Sequence, residues 1–180
     1  MTFEARADID LAAIAHNFEA VRSLAPDSRI MAVIKANAYG HGAVEVARSL
    51  DAADAFGVAR LSEGVALRVA GISLPICLLE GVNDASELVV AREYDLDLVV
   101  HASHQIELLE SSSPHRIWLK VNTGMSRLGF PVSETSARLQ QLSAHQVQGL
   151  ITHLARADES DGSATLKQLE LLSGIDSRLD

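Results

Sequence analysis

Short, continuous apolar runs alternate along this chain with longer segments whose apolar residues recur every three or four positions. Residues 11–24 show the helical spacing first and predict an amphipathic helix. A unit of one apolar run and one helical segment then repeats six times. The predicted strands are 29–34, 55–59, 75–80, 96–100, 116–121 and 147–152, and the predicted helices are 43–50, 62–70, 84–93, 103–111, 133–143 and 164–175.

The apolar runs lack a clean alternation of apolar and polar residues, which indicates strands covered on both faces, as in a parallel α/β sheet. Two architectures compete at this point. A doubly wound open sheet accepts six strands, whereas a (β/α)8 barrel needs two more units and about 250 residues. No G-x-G-x-x-G fingerprint follows the first predicted strand, which removes the main support for a dinucleotide-binding fold. The periodicity alone leaves the choice open.

Polar residues in front of the helical segments predict where several helices begin. Ser62, Asp84, Ser103 and Ser133 stand at positions that suit N-cap residues. Glu87 follows Asp84 by three residues, so this pair resembles a capping box.

Composition narrows the class of protein and its partners. The 180 residues carry a formal net charge of −9 with a sequence pI near 5.2, which argues against binding to nucleic acid or to an anionic membrane. The apolar runs are far shorter than the ~20 residues of a membrane span, and the acidic start of the chain does not resemble a secretory signal. The single cysteine, Cys77, cannot form an internal disulfide and is interpreted as a buried apolar residue, which fits the cytoplasm.

Candidate chemistry comes from polar residues at the ends of the predicted strands. In parallel α/β folds the carboxyl ends of the strands meet on one rim, where binding sites are assembled. Glu80 and His101 are interpreted as structural groups. The remaining residues are cationic and together predict a site for an anionic ligand: Lys35, Lys120, Arg127 and His153.

Lys35 suggests Schiff-base chemistry, because an apolar wall and neighbouring cations favour the neutral amine that attacks a carbonyl. Small residues after the lysine leave room for a flat ligand, and Gly40 and Gly42 allow positive φ before the next helix. Tyr39 could donate a hydrogen bond to a phosphate. Two chemistries use such a lysine, sugar-cleaving aldolases and pyridoxal phosphate enzymes.

The stretch "AVIKANAYGHG" closely resembles the pyridoxal phosphate attachment motif of alanine racemases, the fold-type III family. Three further stretches agree in order: "ADIDLAAIAHN", "LKVNTGMSRLGF" and "THLARADE". The resemblance implies an α/β fold of the (β/α)8 type, of which residues 1–180 would be the N-terminal part with about six strand–helix units. The remaining barrel units and a C-terminal β-domain would lie outside this sequence.

The resemblance also implies roles for particular residues. Lys35 would hold the cofactor as a Schiff base and, once substrate has released it, act as the base on the D-alanine side. Tyr39 would hydrogen-bond the cofactor phosphate, and His153 would stack on the pyridine ring. Arg127 would contact the phenolic oxygen and position the substrate carboxylate, together with the backbone amide of Met125.

Lys120 corresponds to a lysine that is carbamylated in many members of the family, where the carbamate removes the positive charge and orients the arginine. A modest physical argument supports this, because bare cations at positions 120 and 127 would repel each other. No metal is implied, since the seven histidines show no convincing ligand spacing.

The implied activity is the interconversion of L-alanine and D-alanine by two-base proton transfer at Cα, in a cytoplasmic homodimer that could supply the cell wall or serve catabolism. The alternatives are a broad-specificity or serine racemase, an aldolase-like Schiff-base barrel, and a non-catalytic pyridoxal phosphate-binding protein. Family members are about twice as long, and their second base, a tyrosine, lies in the part beyond this sequence. We therefore expect residues 1–180 alone to lack racemase activity.

Overall fold

A computed structural model describes residues 5–175, in which helices alternate with the strands of one parallel sheet. The strands are β1 (Met31–Val33), β2 (Ala55–Val58), β3 (Ile76–Leu78), β4 (Asp97–Val100), β5 (Arg116–Asn122), β6 (Phe130–Pro131) and β7 (Gln146–Ile151). The helical segments are α1 (Leu11–Leu24), α2 (Lys35–Tyr39), α3 (Ala43–Ser49), α4 (Leu61–Val69), α5 (Ala85–Glu93), α6 (Ser103–Glu110), α7 (Thr135–Gln141) and α8 (Ser163–Ser173).

The six predicted strand–helix units are confirmed, and every strand pairing is parallel. The strands from β1 to β5 are neighbours in sequence order, and β7 continues the sheet beside β5. Three elements were not predicted, and one of them is the short segment α2 that begins at Lys35. The short strand β6 pairs with the last two residues of β5, and a 3-10 helix follows at Val132–Glu134. These last two elements shape the long loop between β5 and α7.

The two faces of the sheet differ in what covers them. Side chains on the outer face pack under the helices and are at most 1% exposed: Phe56, Val58, Ile76, Leu78, Leu98, Ile117 and Leu119. On β5 the inner-face residues, which alternate with these, are only half-buried. The prediction of strands covered on both faces is therefore confirmed for β3, β4 and the last three residues of β2. It is wrong for β1 and β7, which keep exposed residues, and for β5, which alternates.

Cys77 lies on the inner face and is 1% exposed, as predicted for a buried apolar residue. Burial, followed by the nearby charge of Asp97, raises the pKa of its thiol to about 12. The thiol is therefore protonated at neutral pH, and reactivity as a thiolate is not expected of it.

A polar network fixes the amino-terminal end of the sheet, opposite the rim where the strands end. Asp97 is buried and accepts hydrogen bonds from Arg116 Nε at 2.6 Å and from Trp118 Nε1 at 3.3 Å. Arg116 also pairs with Asp95 at 2.7 Å. On the inner face, the Trp118 ring packs so closely on Gly149 of β7 that a Cβ there would lie 3.0 Å from it. This network is structural and lies away from the predicted site.

Of the four predicted N-cap residues, only Asp84 is confirmed, with its carboxylate accepting from Glu87 N at 3.0 Å. The capping box is not closed, because the Glu87 carboxylate accepts from Asn83 N at 2.7 Å instead. The other three predictions are wrong. Ser62 and Ser103 already lie within the first turns of α4 and α6, and Ser133 lies in the 3-10 helix.

The causes of these errors are side chains that the pattern did not reveal. The carboxylate of Glu63 accepts from Arg60 N at 3.0 Å and so caps α4 from its third residue. The side-chain oxygen of Gln105, the third residue of α6, accepts from His101 N at 2.8 Å and so satisfies a backbone amide just before that helix. Among the residues that the structure describes, no helix is both long and apolar enough to cross a bilayer.

Candidate active site

Lys35 directly follows the last residue that β1 shares with the sheet. The final bond of this ladder runs from Ile34 N to Gly57 O at 2.8 Å. The chain then forms a left-handed turn in which Ala36, Asn37, Ala38 and Tyr39 all have φ between +51° and +55°. A left-handed conformation costs roughly 1–2 kcal/mol for each non-glycine residue. Such a run persists only where surrounding contacts impose it.

Hydrogen bonds close this turn and lead it into α3. Ala38 N donates to Ile34 O at 2.8 Å, and the side-chain oxygen of Asn37 accepts from Ala43 N at 2.8 Å. Gly40 and Gly42 have φ of +89° and +90°, which confirms the prediction of positive φ at both positions. The sequence pattern predicted the glycines but gave no sign of the four left-handed residues before them.

The predicted cationic residues come together at the carboxyl-terminal rim of the sheet. Burial lowers the pKa of Lys120, and the charges of Arg127 and then Lys35 lower it further. The pKa of His153 is lowered by burial and then by the charges of Arg127, Lys120 and Lys35. The positive charges of these side chains are therefore close enough to influence one another. Within residues 5–175, none of the four side chains forms an ion pair with a carboxylate.

The loop after β5 is folded so that it carries Met125 and Arg127 beside Lys120. The side-chain oxygen of Asn122 accepts from Gly124 N and from Ser126 N, both at 3.0 Å. Lys120, Met125, Arg127 and His153 line one small depression at the rim, together with Thr152.

A buried glutamine on α8 holds the backbone at His153 and two residues after it. Gln168 is 5% exposed and donates to His153 O at 2.9 Å and to Thr123 Oγ1 at 3.0 Å. Its oxygen accepts from Ala155 N at 2.9 Å. Thr152 Oγ1 in turn lies 2.8 Å from Thr123 Oγ1. Sequence reasoning missed this network, because Gln168 lies inside a helical segment where polar residues are ordinary.

Tyr39 is not brought into the cationic cluster. It is 59% exposed, and among the described residues its hydroxyl has no hydrogen-bond partner. It lines a groove beside the edge of the sheet, with Ile14, Val46 and Leu50 among the other walls. Its role toward a phosphate stays a prediction.

The contacts of the His101 ring agree with its interpretation as a structural group, whereas Glu80 takes part only through its backbone oxygen and the role of its side chain stays a prediction. His101 Nε2 lies 3.0 Å from Glu80 O, and Gln105 Nε2 donates to the same carbonyl oxygen at 3.0 Å. His101 nevertheless lies at the rim, since it directly follows the last residue of β4, and its pKa is lowered mainly by burial and further by the charge of Lys120. Across residues 5–175, no three His, Cys, Asp or Glu side chains converge in a way that could hold a metal ion.

Comparison with known proteins agrees with the family resemblance of the sequence motifs. A family model described as the N-terminal domain of alanine racemase matches residues 9–180. The alanine racemase of Nitrosococcus oceani is 50% identical over 177 residues, covering 94% of this chain and 50% of that protein. The biosynthetic alanine racemase of Escherichia coli is 44% identical over 172 residues, covering 92% and 48%.

Solved structures show the same likeness in three dimensions. The biosynthetic alanine racemase from Pseudomonas aeruginosa matches with a TM-score of 0.86 at 41% identity, covering 93% of this chain and 50% of that one. The enzyme from Acinetobacter baumannii matches with a TM-score of 0.87 at 36% identity, covering 96% and 50%. The chain spans about half the length of these relatives, and its sheet matches the N-terminal part of their (β/α)8 barrel. With residues 9–180 matched by the family model, the chain belongs to the alanine racemase family, in the part that forms the N-terminal domain.

Proposed function

We propose that the protein interconverts L-alanine and D-alanine with pyridoxal phosphate attached to Lys35. The observation that carries the proposal is the convergence of Lys35, Lys120, Arg127 and His153 at one strand-end rim, in a chain of the alanine racemase family. Because the chain spans about half of its relatives, the activity of the whole protein is inferred and not observed.

The donor set fits this cofactor. Its phosphate and phenolate oxygens are anionic, and the rim presents cationic side chains that have no carboxylate partner within residues 5–175. Lys35 supplies the primary amine that the aldehyde needs. When bound, pyridoxal phosphate supplies an aldehyde for amines and an electron-withdrawing ring that acidifies the substrate Cα–H bond.

Each residue then has a distinct task. Lys35 carries the cofactor and, when its amine is free, removes or returns the Cα proton on one face of the substrate. Arg127, with the backbone N–H of Met125, binds the substrate carboxylate and the phenolic oxygen. His153 presents a neutral ring for stacking, because burial and the neighbouring cations lower its pKa. Tyr39 would supply a phenolic hydroxyl that can donate to the phosphate.

We also propose that Lys120 is carbamylated. Burial and the charges of Arg127 and Lys35 lower its pKa, and this enlarges the fraction of neutral amine that can react with carbon dioxide. The resulting carbamate would be negative and would pair with Arg127. Mass analysis of the native protein under carbonate, before and after acid treatment, tests the modification.

Replacing Lys35 by alanine tests the main proposal in the complete protein. We expect Lys35→Ala to abolish both the yellow absorbance of bound cofactor and racemisation, because the attaching amine is lost. Lys167→Ala, an exposed lysine on α8, is the matched control and should retain both. Retention of colour and turnover in Lys35→Ala would exclude the proposed role.

Substrate range and assembly are part of the same proposal. Rates for alanine, serine and lysine separate an alanine racemase from a broad-specificity or serine racemase. Cofactor binding without turnover by the complete protein would favour a non-catalytic binding protein. We further propose a cytoplasmic homodimer, and sedimentation of the complete protein with its cofactor tests the dimer.

A further inference from the structure

Glu63 joins the turn that bears Lys35 to the next strand–helix unit. One carboxylate oxygen accepts from Ala36 N at 2.6 Å. The other accepts from Ala59 N at 2.8 Å and from Arg60 N at 3.0 Å. A single half-buried side chain therefore ties the residue after the lysine to the loop that begins α4.

The hydrogen bond from Ala36 N to Glu63 satisfies a backbone amide that the sheet leaves without a partner. The ladder between β1 and β2 ends at Ile34, so the amide of Ala36 has no partner in the sheet. Ala36 is also the first of the four left-handed residues. A hydrogen bond to a carboxylate is stronger than one between neutral groups. The bond thus stabilises the conformation at the point where the strand gives way to the turn.

We propose that Glu63 is a positioning residue for Lys35. By fixing the peptide that follows the lysine, it sets the direction in which the lysine side chain leaves the backbone and holds the amine at the rim. This inference rests on the proposed function for its catalytic consequence, but the bond to Ala36 N is a property of the protein without cofactor.

The chain contains a matched comparison for Glu63. Glu87 occupies the corresponding place in the next unit, in the first turn of α5, and is also half-buried. Its carboxylate accepts from Asn83 N at 2.7 Å in the loop before its own helix. Glu87 therefore bonds to the loop before its own helix as Glu63 does, while its described hydrogen bonds do not include the turn at Lys35.

Amide hydrogen exchange in the cofactor-free complete protein tests the hydrogen bond between Ala36 N and Glu63 directly. We expect Glu63→Gln to speed exchange at Ala36 by about tenfold, because a neutral amide cannot accept on both sides. Glu63→Asp keeps the charge at α4 but shortens the side chain, and it should give a similar increase. Glu87→Gln should leave Ala36 unchanged. Wild-type protection of Ala36 in both Glu63 variants would overturn the inference.

Trapping of the cofactor measures the consequence for Lys35. The complete protein is mixed with pyridoxal phosphate and reduced with borohydride, and the adduct at Lys35 is followed over time by peptide mass spectrometry. We expect Glu63→Gln to slow adduct formation by about tenfold and to lower kcat more than it raises KM. Glu87→Gln should remain close to the wild type.

The two levels of failure are distinguishable. If the wild type forms no adduct at Lys35, the proposed function fails, and the exchange experiment still decides whether Glu63 holds the turn. If the wild type forms the adduct and Glu63→Gln matches Glu87→Gln, the positioning role fails while the proposed function stands.

Discussion

Carboxamide side chains anchor several of the loops on the rim that carries the cationic cluster. Asn37 holds the turn after β1, Gln105 the entry to α6, Asn122 the loop after β5 and Gln168 the segment after β7. An amide both donates and accepts, yet it carries no charge. At the loops after β5 and β7 the anchors are amides, so no anchoring carboxylate competes there for Lys120, Arg127 and His153, and this favours an anionic ligand. The turn after β1 is held by the carboxylate of Glu63 as well as by Asn37.

Gln168 allows a test at the scale of one residue. Gln168→Ala removes the bonds to Thr123, His153 and Ala155, so we expect a loss of roughly 2 kcal/mol of unfolding free energy. We also expect weaker cofactor binding, because the backbone of His153 loses its support. Gln140→Ala on the exposed side of α7 is the control, and it should change denaturant midpoint and cofactor affinity little. Equal midpoints for the two variants would contradict the role assigned to Gln168.

The sequence predicted the cationic residues of the site but not the groups that hold them. Lys35, Lys120, Arg127 and His153 could be found because each is a charged or titratable residue at or just beyond the end of an apolar run. Glu63 and Gln168 could not, because each lies inside a helical segment where polar residues are ordinary. Their importance depends on contacts with residues 27 and 45 positions away, which no local pattern encodes.

At the scale of elements, the loop from β5 to α7 depends on a close approach of backbones at Gly129. Its φ is +107°, and a Cβ there would lie 3.0 Å from both Asn122 N and Lys120 O. Both neighbours are backbone atoms of β5, which cannot move aside without disturbing the strand. Gly129 thus allows the chain to return against β5 as β6 and to bring Arg127 over Lys120.

We expect Gly129→Ala to cost about 2–3 kcal/mol of stability, because it combines strained φ with a backbone clash. The matched control is Gly162→Ala at the start of α8, where φ is −71° and a Cβ meets no atom within 4 Å. Urea denaturation of both variants measures the difference. A stability loss at Gly129 no larger than at Gly162 would show that the loop adapts.

The repeating elements were predictable because burial on the outer face imposes the pattern of apolar residues that the sequence displays. Their exact beginnings were less predictable, as Ser62, Ser103 and Ser133 show. Glu63 and Gln105 bond back to the preceding loops and move the helix starts, and the 3-10 helix that follows β6 replaces the first residues of the predicted helix 133–143. Such effects depend on tertiary contacts.

At the scale of the whole molecule, a buried histidine, His115, makes stability depend on pH. His115 is 6% exposed, its ring stacks near that of His145, and its pKa is lowered to about 4 by burial and then by the charges of Arg92 and His145. In the unfolded chain the pKa is about 6.5. As the pH falls, His115 therefore takes up a proton in the unfolded state before it does so in the folded state. Stability is lost as the pH falls from about 6.5 toward 4.

We expect the unfolding free energy to fall by about 2 kcal/mol between about pH 7 and pH 5 through His115. His115→Gln can still accept from Arg92 and should flatten this dependence. His16→Gln on the exposed side of α1 should leave it unchanged. Thermal unfolding at both pH values measures the effect, and a dependence that is identical in all three proteins would rule out His115 as its source.

A second prediction at this scale concerns residues 1–180 as an isolated polypeptide. Inversion at Cα needs a proton donor on the face opposite Lys35. Tyr39 is largely exposed beside the sheet edge, and Tyr94 ends α5 in the outer layer. Neither lies opposite the lysine. With pyridoxal phosphate and L-alanine in deuterated water, we expect slow exchange of the α-proton without D-alanine.

The control for that experiment is the complete protein under the same conditions. Formation of D-alanine by residues 1–180 at a comparable rate would mean that an opposed base lies within them and that the division of roles proposed above is wrong.

The close packing of Trp118 on Gly149 has a spectroscopic consequence. Trp118 is the only tryptophan among the 180 residues and lies on the inner face of the sheet, two positions before Lys120. Its indole N–H donates to the buried carboxylate of Asp97, so the fluorophore has a fixed orientation. Indole emission from this chain therefore reports from one known position on the inner face of the sheet, below the cationic rim. A ligand that absorbs in the near ultraviolet can be followed there by energy transfer, without any added label.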